Sequence, residues 1–163
     1  MEITADHVKA LREKTGAGVM DCKRALVEAD GDTDRAAAIL RDRGLAGVEK
    51  RAGREASQGV IEAYIHGGGR IGVIVEVNCE TDFVARTPDF RELAHDVAMQ
   101  VAAMDPSSVD GANGTADRLP LMKQPFIRDQ GKTIADVVRE TAAKTGENIV
   151  VRRFIRYELG AGE

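Results

Sequence analysis

The chain has 163 residues, of which 43% are hydrophobic and 31% are charged, a composition typical of a globular protein. Its formal net charge of -4 argues against a general nucleic-acid binder, because binding phosphates requires a surplus of lysine and arginine. No apolar run approaches the roughly 18 residues of a membrane span, and the acidic start lacks the pattern of a secretory signal. We therefore predict a cytoplasmic protein without membrane contacts.

Residues 1–44 are predicted to form a module of three short helices. Thr4 is a suitable N-cap for the first helix, and Gly16 follows its last periodic residue. The second helix is expected over residues 19–29, and the third is expected to end at Gly44. The apolar face of the second helix is predicted to consist of Val19, Cys22 and Leu26. A core this small is marginal by itself, so we expect the module to be a satellite of a larger domain.

A linker and a core domain are predicted to follow. Residues 45–56 are glycine-interrupted and locally basic, which is typical of a linker or a frayed helix. The remainder, residues 57–163, forms the predicted core. Alternating apolar residues predict strands over residues 59–66 and 71–78, joined by a glycine-rich hairpin loop, and a third strand over residues 148–159.

Two helices are predicted to cover one face of this sheet. Thr87 caps the first, which has Pro88 at its first position, and Thr133 caps the second, which ends at Gly146. Residues 105–117 are predicted to form an unusually long loop. The predicted fold class is α+β, with an N-terminal three-helix module followed by a three-stranded antiparallel sheet packed with helices.

Residues 78–86, NCETDFVAR, place a phenylalanine where a strand gives way to a loop. Loops are normally polar, so a large apolar side chain there either folds back onto the core or is held out for a partner. Spacing alone favours packing of Phe83 onto the core. The residues by themselves leave both interpretations open.

The sequence contains little that predicts catalysis. Its three histidines are scattered, and no serine or cysteine lies in a nucleophile motif. The glycines at residues 67–69 lack the lysine and hydroxyl of a phosphate loop and precede a strand, so we predict no direct nucleotide binding. Cys22 and Cys79 lie far apart without further ligands and are predicted to be buried thiols. We therefore expect no enzyme, no cofactor and no metal site.

Three segments resemble signatures of the bacterial translation elongation factor Ts family. In the order of the family, they are residues 15–26 (TGAGVMDCKRAL), residues 81–86 (TDFVAR) and residues 146–154 (GENIVVRRF). The resemblance covers nearly the full length of the chain. It implies a guanine nucleotide exchange factor for elongation factor Tu, the GTPase that carries aminoacyl-tRNA to the ribosome. It also implies that the three-helix module is similar to a ubiquitin-associated domain.

The first contact with elongation factor Tu that this resemblance implies is made by the module. Arg12, Val19 and Met20 would dock on a helix of the GTPase domain. The alternative for the two apolar residues is packing in the module. Because adjacent residues of a helix cannot both point into one small core, at least one of them is expected at the surface.

The second implied contact is made by Thr81, Asp82, Phe83 and Val84. In this reading Phe83 enters an apolar pocket of the partner, and Asp82 helps to disturb the ordered shell around the bound Mg²⁺. Loss of the metal bridge to the phosphates weakens nucleotide binding.

The chain departs from the family in two respects. It is too short for the second core subdomain and helical arm of long members. The resemblance to short members of the family implies a homodimer, paired around the sheet edge, that supplies the missing core. The last strand has an isoleucine at position 155 and contains no cysteine, so such a dimer would be noncovalent. The other departure is the polar loop at residues 105–117, where the family usually has acidic helical sequence.

Two other functions stay open on the residues. An adaptor would use the ubiquitin-associated-like module to bind a different protein, with the sheet domain as a scaffold. A small enzyme would use Asp82 and a histidine. Retained binding without exchange would favour the adaptor, and turnover without any GTPase would favour the enzyme.

Overall fold

The computed structural model of the protein describes residues 3–111 and 117–162. Within these ranges three helices precede a three-stranded sheet. Between the second and third strands of this sheet, the chain forms further helices and a two-stranded sheet. The helices are α1 (Ala5–Thr15), α2 (Val19–Glu28), α3 (Thr33–Arg51), α4 (Asp82–Ala85), α5 (Pro88–Met104) and α6 (Ile134–Thr145). The strands are β1 (Gln58–His66), β2 (Ile71–Cys79), β3 (Pro125–Phe126), β4 (Asp129–Thr133) and β5 (Val150–Glu158), and a single 3₁₀ turn covers Leu121–Lys123.

Local capping signals define the first helices as predicted. The Thr4 hydroxyl accepts the His7 N–H, the His7 ring accepts the Thr4 N–H, and Gly16 ends α1 in the left-handed conformation at φ 70°. Asp32 caps α3 by accepting the N–H groups of Asp34 and Arg35, the second and third helical residues. The core of the module is small and consists of Leu11, Cys22, Ala25, Leu26, Ala29 and Ala36.

The third helix does not end at Gly44, and this prediction was wrong. α3 continues to Arg51, so most of the predicted linker 45–56 is helical. The reason is tertiary: a Cβ added at Gly44 would lie 3.1 Å from the Cβ of Ala143, so glycine permits the close approach of α3 and α6. Further along α3, Val48 packs against the main core, and Arg51 Nη2 donates to the carbonyl of Ala142 at 3.4 Å. The division into domains remains a prediction, with two separate hydrophobic clusters in its favour.

The main sheet has the predicted antiparallel arrangement, with strand order β1-β2-β5. Val60 pairs with Val77, and Ile74 pairs with Ile155. The hairpin between β1 and β2 turns through three consecutive glycines with φ between 62° and 91°, a region that residues with a Cβ rarely occupy. The prediction of an α+β fold with a three-stranded sheet is confirmed.

The two faces of this sheet differ in their surroundings. The inner face packs against α5, and α6 packs in turn against α5 and α3, so the prediction that both long helices lie directly on the sheet was wrong for α6. The fully buried centre between the sheet and α5 contains Val73, Val75, Val77, Phe90, Leu93, Val97 and Val101. The outer face lies open, and its exposed apolar side chains are Ile61, Ile65, Ile74, Ile155 and Tyr157. The alternation therefore places Ile61 and Ile65 together on the side away from the helices.

The segment after α5 contains structure that the sequence pattern did not indicate. Residues 119–127 contain the 3₁₀ turn and β3, which pairs with β4. The buried Gln100 side chain holds it, because its amide nitrogen donates to the Pro125 carbonyl at 3.0 Å and its oxygen accepts the Ile127 N–H at 2.9 Å. Of the predicted loop 105–117, residues 112–116 lie outside the described residues, and an ion pair between Asp105 and Arg118 joins its flanks.

Candidate partner-binding site

The segment that follows β2 forms a short turn, residues 81–86, which we call the Thr81 turn. Thr81 has an extended backbone and caps α4 by accepting the Val84 N–H on its hydroxyl at 3.4 Å. Val84 and Ala85 are buried in the core, whereas Phe83 is 79% exposed. Packing of Phe83 onto the core, which spacing alone favoured, is therefore wrong. One helical turn directs Val84 and Ala85 inward and leaves Phe83 on the outside.

The charged side chain of the Thr81 turn is also at the surface. Asp82 is exposed and pairs with Arg86 one helical turn later at 3.1 Å. An exposed pair of this kind contributes at most about 1 kcal/mol to stability. The Asp82 carboxylate thus lies beside an accessible phenylalanine and is held only weakly by its own chain.

A carboxylate from a distant segment holds the start of the Thr81 turn. Glu147 Oε2 accepts the N–H of Glu80 at 3.0 Å and the N–H of Thr81 at 2.9 Å. The Thr81 hydroxyl donates to Glu147 Oε1 at 2.5 Å. Hydrogen bonds to an ionised carboxylate are stronger than bonds between neutral groups. We call this set of three hydrogen bonds the Glu147 clasp.

A second set of contacts runs in the opposite direction between the same two segments. Glu80 Oε1 accepts the N–H of Asn148 at 2.7 Å. The Asn148 amide donates to the carbonyls of Ala52, at 3.3 Å, and Arg54, at 2.8 Å, where the chain leaves α3. The loop before β5 therefore connects the end of α3 to the base of the Thr81 turn.

The thiol beneath the turn is buried. Cys79 is fully buried, and its Sγ donates to the carbonyl of Thr81 at 3.1 Å. Burial, followed by the nearby charge of Glu147, raises the pKa of the Cys79 thiol to about 11. Cys79 is thus a neutral packing residue under the turn at physiological pH, and Cys22 is buried in the module.

The other predicted contact residues lie on the outside of the three-helix module. Arg12 is exposed on α1, Val19 is 52% exposed and Met20 is 63% exposed in the first turn of α2. The prediction that Val19 shares the inner face of α2 with Cys22 and Leu26 was wrong, because Ala25 takes the inner position with them. We call the exposed set Arg12, Val19 and Met20 the α2 surface.

The fold also brings together residues that the sequence left scattered. The Tyr64 hydroxyl lies 3.0 Å from Nδ1 of His66, and its ring meets His95 edge-on at 5.6 Å. His95 Nδ1 lies 3.4 Å from Glu62 Oε1. These residues lie on β1 and α5. Asp82, which the enzyme hypothesis combines with a histidine, forms its ion pair with Arg86 instead.

A cleft of about 650 Å³ lies between the module and α6. Its rim is charged, with Lys14 bound to Asp34 at 2.6 Å on the module side and Lys144 bound to Asp89 at 2.9 Å on the core side. Among residues 3–111 and 117–162, no three metal-ligating side chains gather closely enough to hold an ion. No helix in the same ranges is long and apolar enough to cross a membrane.

Comparison with known proteins places the chain in a family. Residues 46–119 match the sequence model described as Elongation factor TS. The chain is 47% identical to an elongation factor Ts of Desulforamulus reducens, over 99% of this chain and 91% of the relative. The chain belongs to the elongation factor Ts family. A family member from Moorella thermoacetica is 48% identical over 98% of this chain and 97% of the relative, and one from Coprothermobacter proteolyticus is 46% identical over 98% and 100%. Membership supports a role as an elongation factor in protein biosynthesis.

The alignments also reveal a difference in length. The alignment with the Desulforamulus relative runs over 197 positions, 34 more than the 163 residues of this chain. That family member therefore carries at least 34 residues that this chain lacks. The Thr81 turn, the Glu147 clasp and the α2 surface are all built without them.

Proposed function

We propose that this chain is the guanine nucleotide exchange factor for elongation factor Tu and acts in the cytoplasm. The observation that carries the proposal is Phe83, a phenylalanine 79% exposed on a turn whose base is held by the Glu147 clasp. Burying a phenylalanine contributes roughly 1.5–3 kcal/mol. Because Phe83 is not buried in the chain itself, this free energy can be gained when a partner buries the side chain. The ordered turn holds the side chain in place for that contact.

The exposed side chains of the Thr81 turn account for the exchange of guanine nucleotide. Phe83 enters an apolar pocket of the GTPase domain, while Asp82 brings a negative charge close to the site of the bound Mg²⁺ and disturbs its ligand shell. Thr81 caps the helical turn, and Val84 anchors it from below in the core. Without the metal bridge, the phosphates of GDP lose much of their electrostatic stabilisation. Because coupling is reciprocal, the factor by which the chain weakens GDP binding equals the factor by which GDP weakens binding of the chain.

The α2 surface supplies the second contact. Met20 and Val19 offer exposed apolar area, and Arg12 offers a guanidinium group on the neighbouring helix. Apolar side chains beside an arginine are the composition found at protein interfaces. We propose that this surface docks on a helix of the GTPase domain and contributes affinity, while the Thr81 turn produces exchange.

The chain itself is proposed not to bind guanine nucleotide. Its glycine cluster forms the hairpin loop between β1 and β2, and a strand follows it, so no helix N-terminus is there to receive a phosphate. Calorimetry of the isolated chain with GDP is expected to give no saturable heat. A saturable isotherm would contradict the exchange-factor proposal in this form.

A noncovalent homodimer is part of the proposal, and the outer face of the sheet supports it. Three strands of nine residues span roughly 400 Å², from about 3.3 Å per residue and about 4.8 Å between strands. This area is half of the roughly 800 Å² that each partner contributes to a standard interface, and only part of it is apolar, because Glu76 and Arg153 form an ion pair at 2.8 Å on the same face. We therefore expect a reversible dimer, packed through the face as well as the edge that the sequence indicated.

Sedimentation tests the dimer. Twice the chain mass is expected at high protein concentration, unchanged by a reductant, because both cysteines are buried. Ile74→Lys should shift the protein to a monomer, while Leu119→Lys, a change at an exposed apolar residue outside the sheet, should not. A wild-type monomer at all concentrations that still catalyses exchange would refute the dimer.

Release of fluorescent GDP from purified elongation factor Tu tests the main proposal. The chain is expected to accelerate release, and added Mg²⁺ should oppose it because metal and chain compete for one arrangement of the site. Phe83→Ala should remove most of the acceleration, and Leu119→Ala serves as the matched control at an exposed apolar residue. Binding without acceleration would favour an adaptor instead.

A further inference from the structure

The Glu147 side chain forms its hydrogen bonds with a segment that is far from it in sequence. Its three hydrogen bonds all go to Glu80 and Thr81, 67 and 66 positions earlier in the chain. The next residue, Asn148, is itself tied to Glu80 and to the carbonyls at the end of α3. Glu147 therefore bridges two segments from a well-supported position, but it has no contact of its own with Phe83 or Asp82 among these hydrogen bonds.

The clasp also determines how Thr81 caps α4. A threonine hydroxyl has one hydrogen to donate and two lone pairs to accept with. Because the hydrogen is directed to Glu147 Oε1, the lone pairs are free to accept the Val84 N–H, which is the capping bond of α4. The hydroxyl that caps the helical turn carrying Asp82 and Phe83 is therefore also bound by the Glu147 carboxylate.

We propose that Glu147 is a positioning residue for nucleotide exchange, which holds the Thr81 turn in the orientation in which Asp82 and Phe83 meet the partner. The inference rests on the proposed function and assigns a new residue to it. A turn that is ordered before binding does not lose conformational freedom on docking, so the gain appears in the activity of the complex and not mainly in the stability of the free chain.

The fold is expected to survive loss of the clasp. Thr81 is exposed and Glu80 is only partly buried, so water can reach the N–H groups that Glu147→Ala would release. The buried Val84 and Ala85 still hold the turn to the core from below. The variant should therefore loosen the turn without unfolding the domain.

The order of the turn can be measured directly, because the chain contains no tryptophan. Phe83→Trp introduces a single indole at the tip of the turn. Its time-resolved fluorescence anisotropy should show restricted motion in the parent and a clearly larger local amplitude when Glu147→Ala is added, at an unchanged melting temperature. Glu140→Ala is the matched control, since Glu140 is an exposed carboxylate of α6 that accepts from Lys132 at 2.9 Å.

A double-mutant cycle in the exchange assay then tests the role. Glu147→Ala should reduce acceleration of GDP release about tenfold, equivalent to 1.4 kcal/mol, and Glu147→Gln, which keeps one oxygen acceptor, should be intermediate. In a background of Asp82→Ala and Phe83→Ala, adding Glu147→Ala should change the remaining activity less than about twofold, because a positioning residue has nothing left to position.

The outcomes separate the two proposals. If the background changes at Asp82 and Phe83 have no effect, the proposed function of the turn fails. If they have an effect but Glu147→Ala exchanges like the wild type, the positioning role fails. A tenfold loss from Glu147→Ala that persists in the double-variant background would likewise overturn it, as would an unchanged indole anisotropy.

Discussion

The Thr81 turn and the α2 surface both expose apolar side chains, but the molecule supports them in different ways. The turn is held by hydrogen bonds that reach across 66 to 68 positions in the chain. The α2 surface belongs to a module with a small core, and the N-cap of α2, Gly18, makes no side-chain hydrogen bond. The turn is thus positioned by hydrogen bonds from a distant segment, whereas the α2 surface is carried by two short neighbouring helices, α1 and α2.

This difference suits the two roles that we propose. A group that must reach a particular place beside a bound metal gains from a rigid support, because small displacements weaken its effect. A surface that only contributes docking affinity tolerates movement of its support. We therefore expect variants of the turn to change the rate of exchange and variants of the α2 surface to change binding.

The largest expected effect separates two phenylalanines that lie seven residues apart. Phe90 is fully buried and Phe83 is 79% exposed. Phe90→Ala should lower the free energy of unfolding by about 3–5 kcal/mol, and Phe83→Ala should change it by less than about 0.5 kcal/mol. Urea unfolding of both variants measures this. Similar losses in the two variants would mean that Phe83 packs in the core after all.

The next effect concerns the activity of the same exposed side chain. Phe83→Ala should reduce acceleration of GDP release roughly 30-fold, which corresponds to an interface anchor of about 2 kcal/mol. Asp82→Ala should give a smaller loss, and raising Mg²⁺ should reduce the difference between that variant and the wild type. Wild-type release rates from Phe83→Ala, together with an unaltered melting curve, would eliminate the Thr81 turn as the exchange element.

A smaller effect is expected at the α2 surface. Met20→Ala should weaken binding to elongation factor Tu about fivefold, near 1 kcal/mol, with the maximal rate of release retained. Its effect should add to that of Phe83→Ala, because no hydrogen bond within the described part of the chain joins the α2 surface to the Thr81 turn. Leu26→Ala on the buried side of α2 is the structural control and should lower the melting temperature, unlike Met20→Ala. A fall in the maximal rate alone would contradict the division of roles.

The smallest effect is a pH dependence in the helix that leads to the Glu147 clasp. The Thr133 backbone N–H and hydroxyl both donate to Asp136 at 2.9 Å and lower the pKa of its carboxyl below the ordinary value. Because the pKa of this carboxyl is lower in the folded state, its ionisation stabilises the fold at pH values above the unfolded pKa of about 4. The stabilisation disappears as the pH falls through the folded-state pKa. Urea unfolding should show a stability difference between wild type and Asp136→Ala at pH 6 that narrows towards pH 3. A constant difference would exclude the carboxylate as its source.

Local signals in the sequence determined much of this protein. The helix starts at Thr4, Thr87 and Thr133 and the glycine hairpin were predictable because each depends on side chains within about four residues. Alternation of apolar residues likewise indicated the three strands, and the motifs indicated the family. What alternation did not reveal is which face of the sheet the helices cover.

Only the tertiary structure decided the features that matter most for the proposed site. Gly44 reads as a helix stop, but it lies inside α3 because Ala143 approaches it there. Phe83 reads as a core residue, but it is exposed because Val84 and Ala85 occupy the inner side of the turn. The hydrogen bonds of Glu147 go to Thr81, 66 positions earlier in the chain. Burial and long-range hydrogen bonds are set by segments that meet only in the folded chain, so a local pattern carries no information about them.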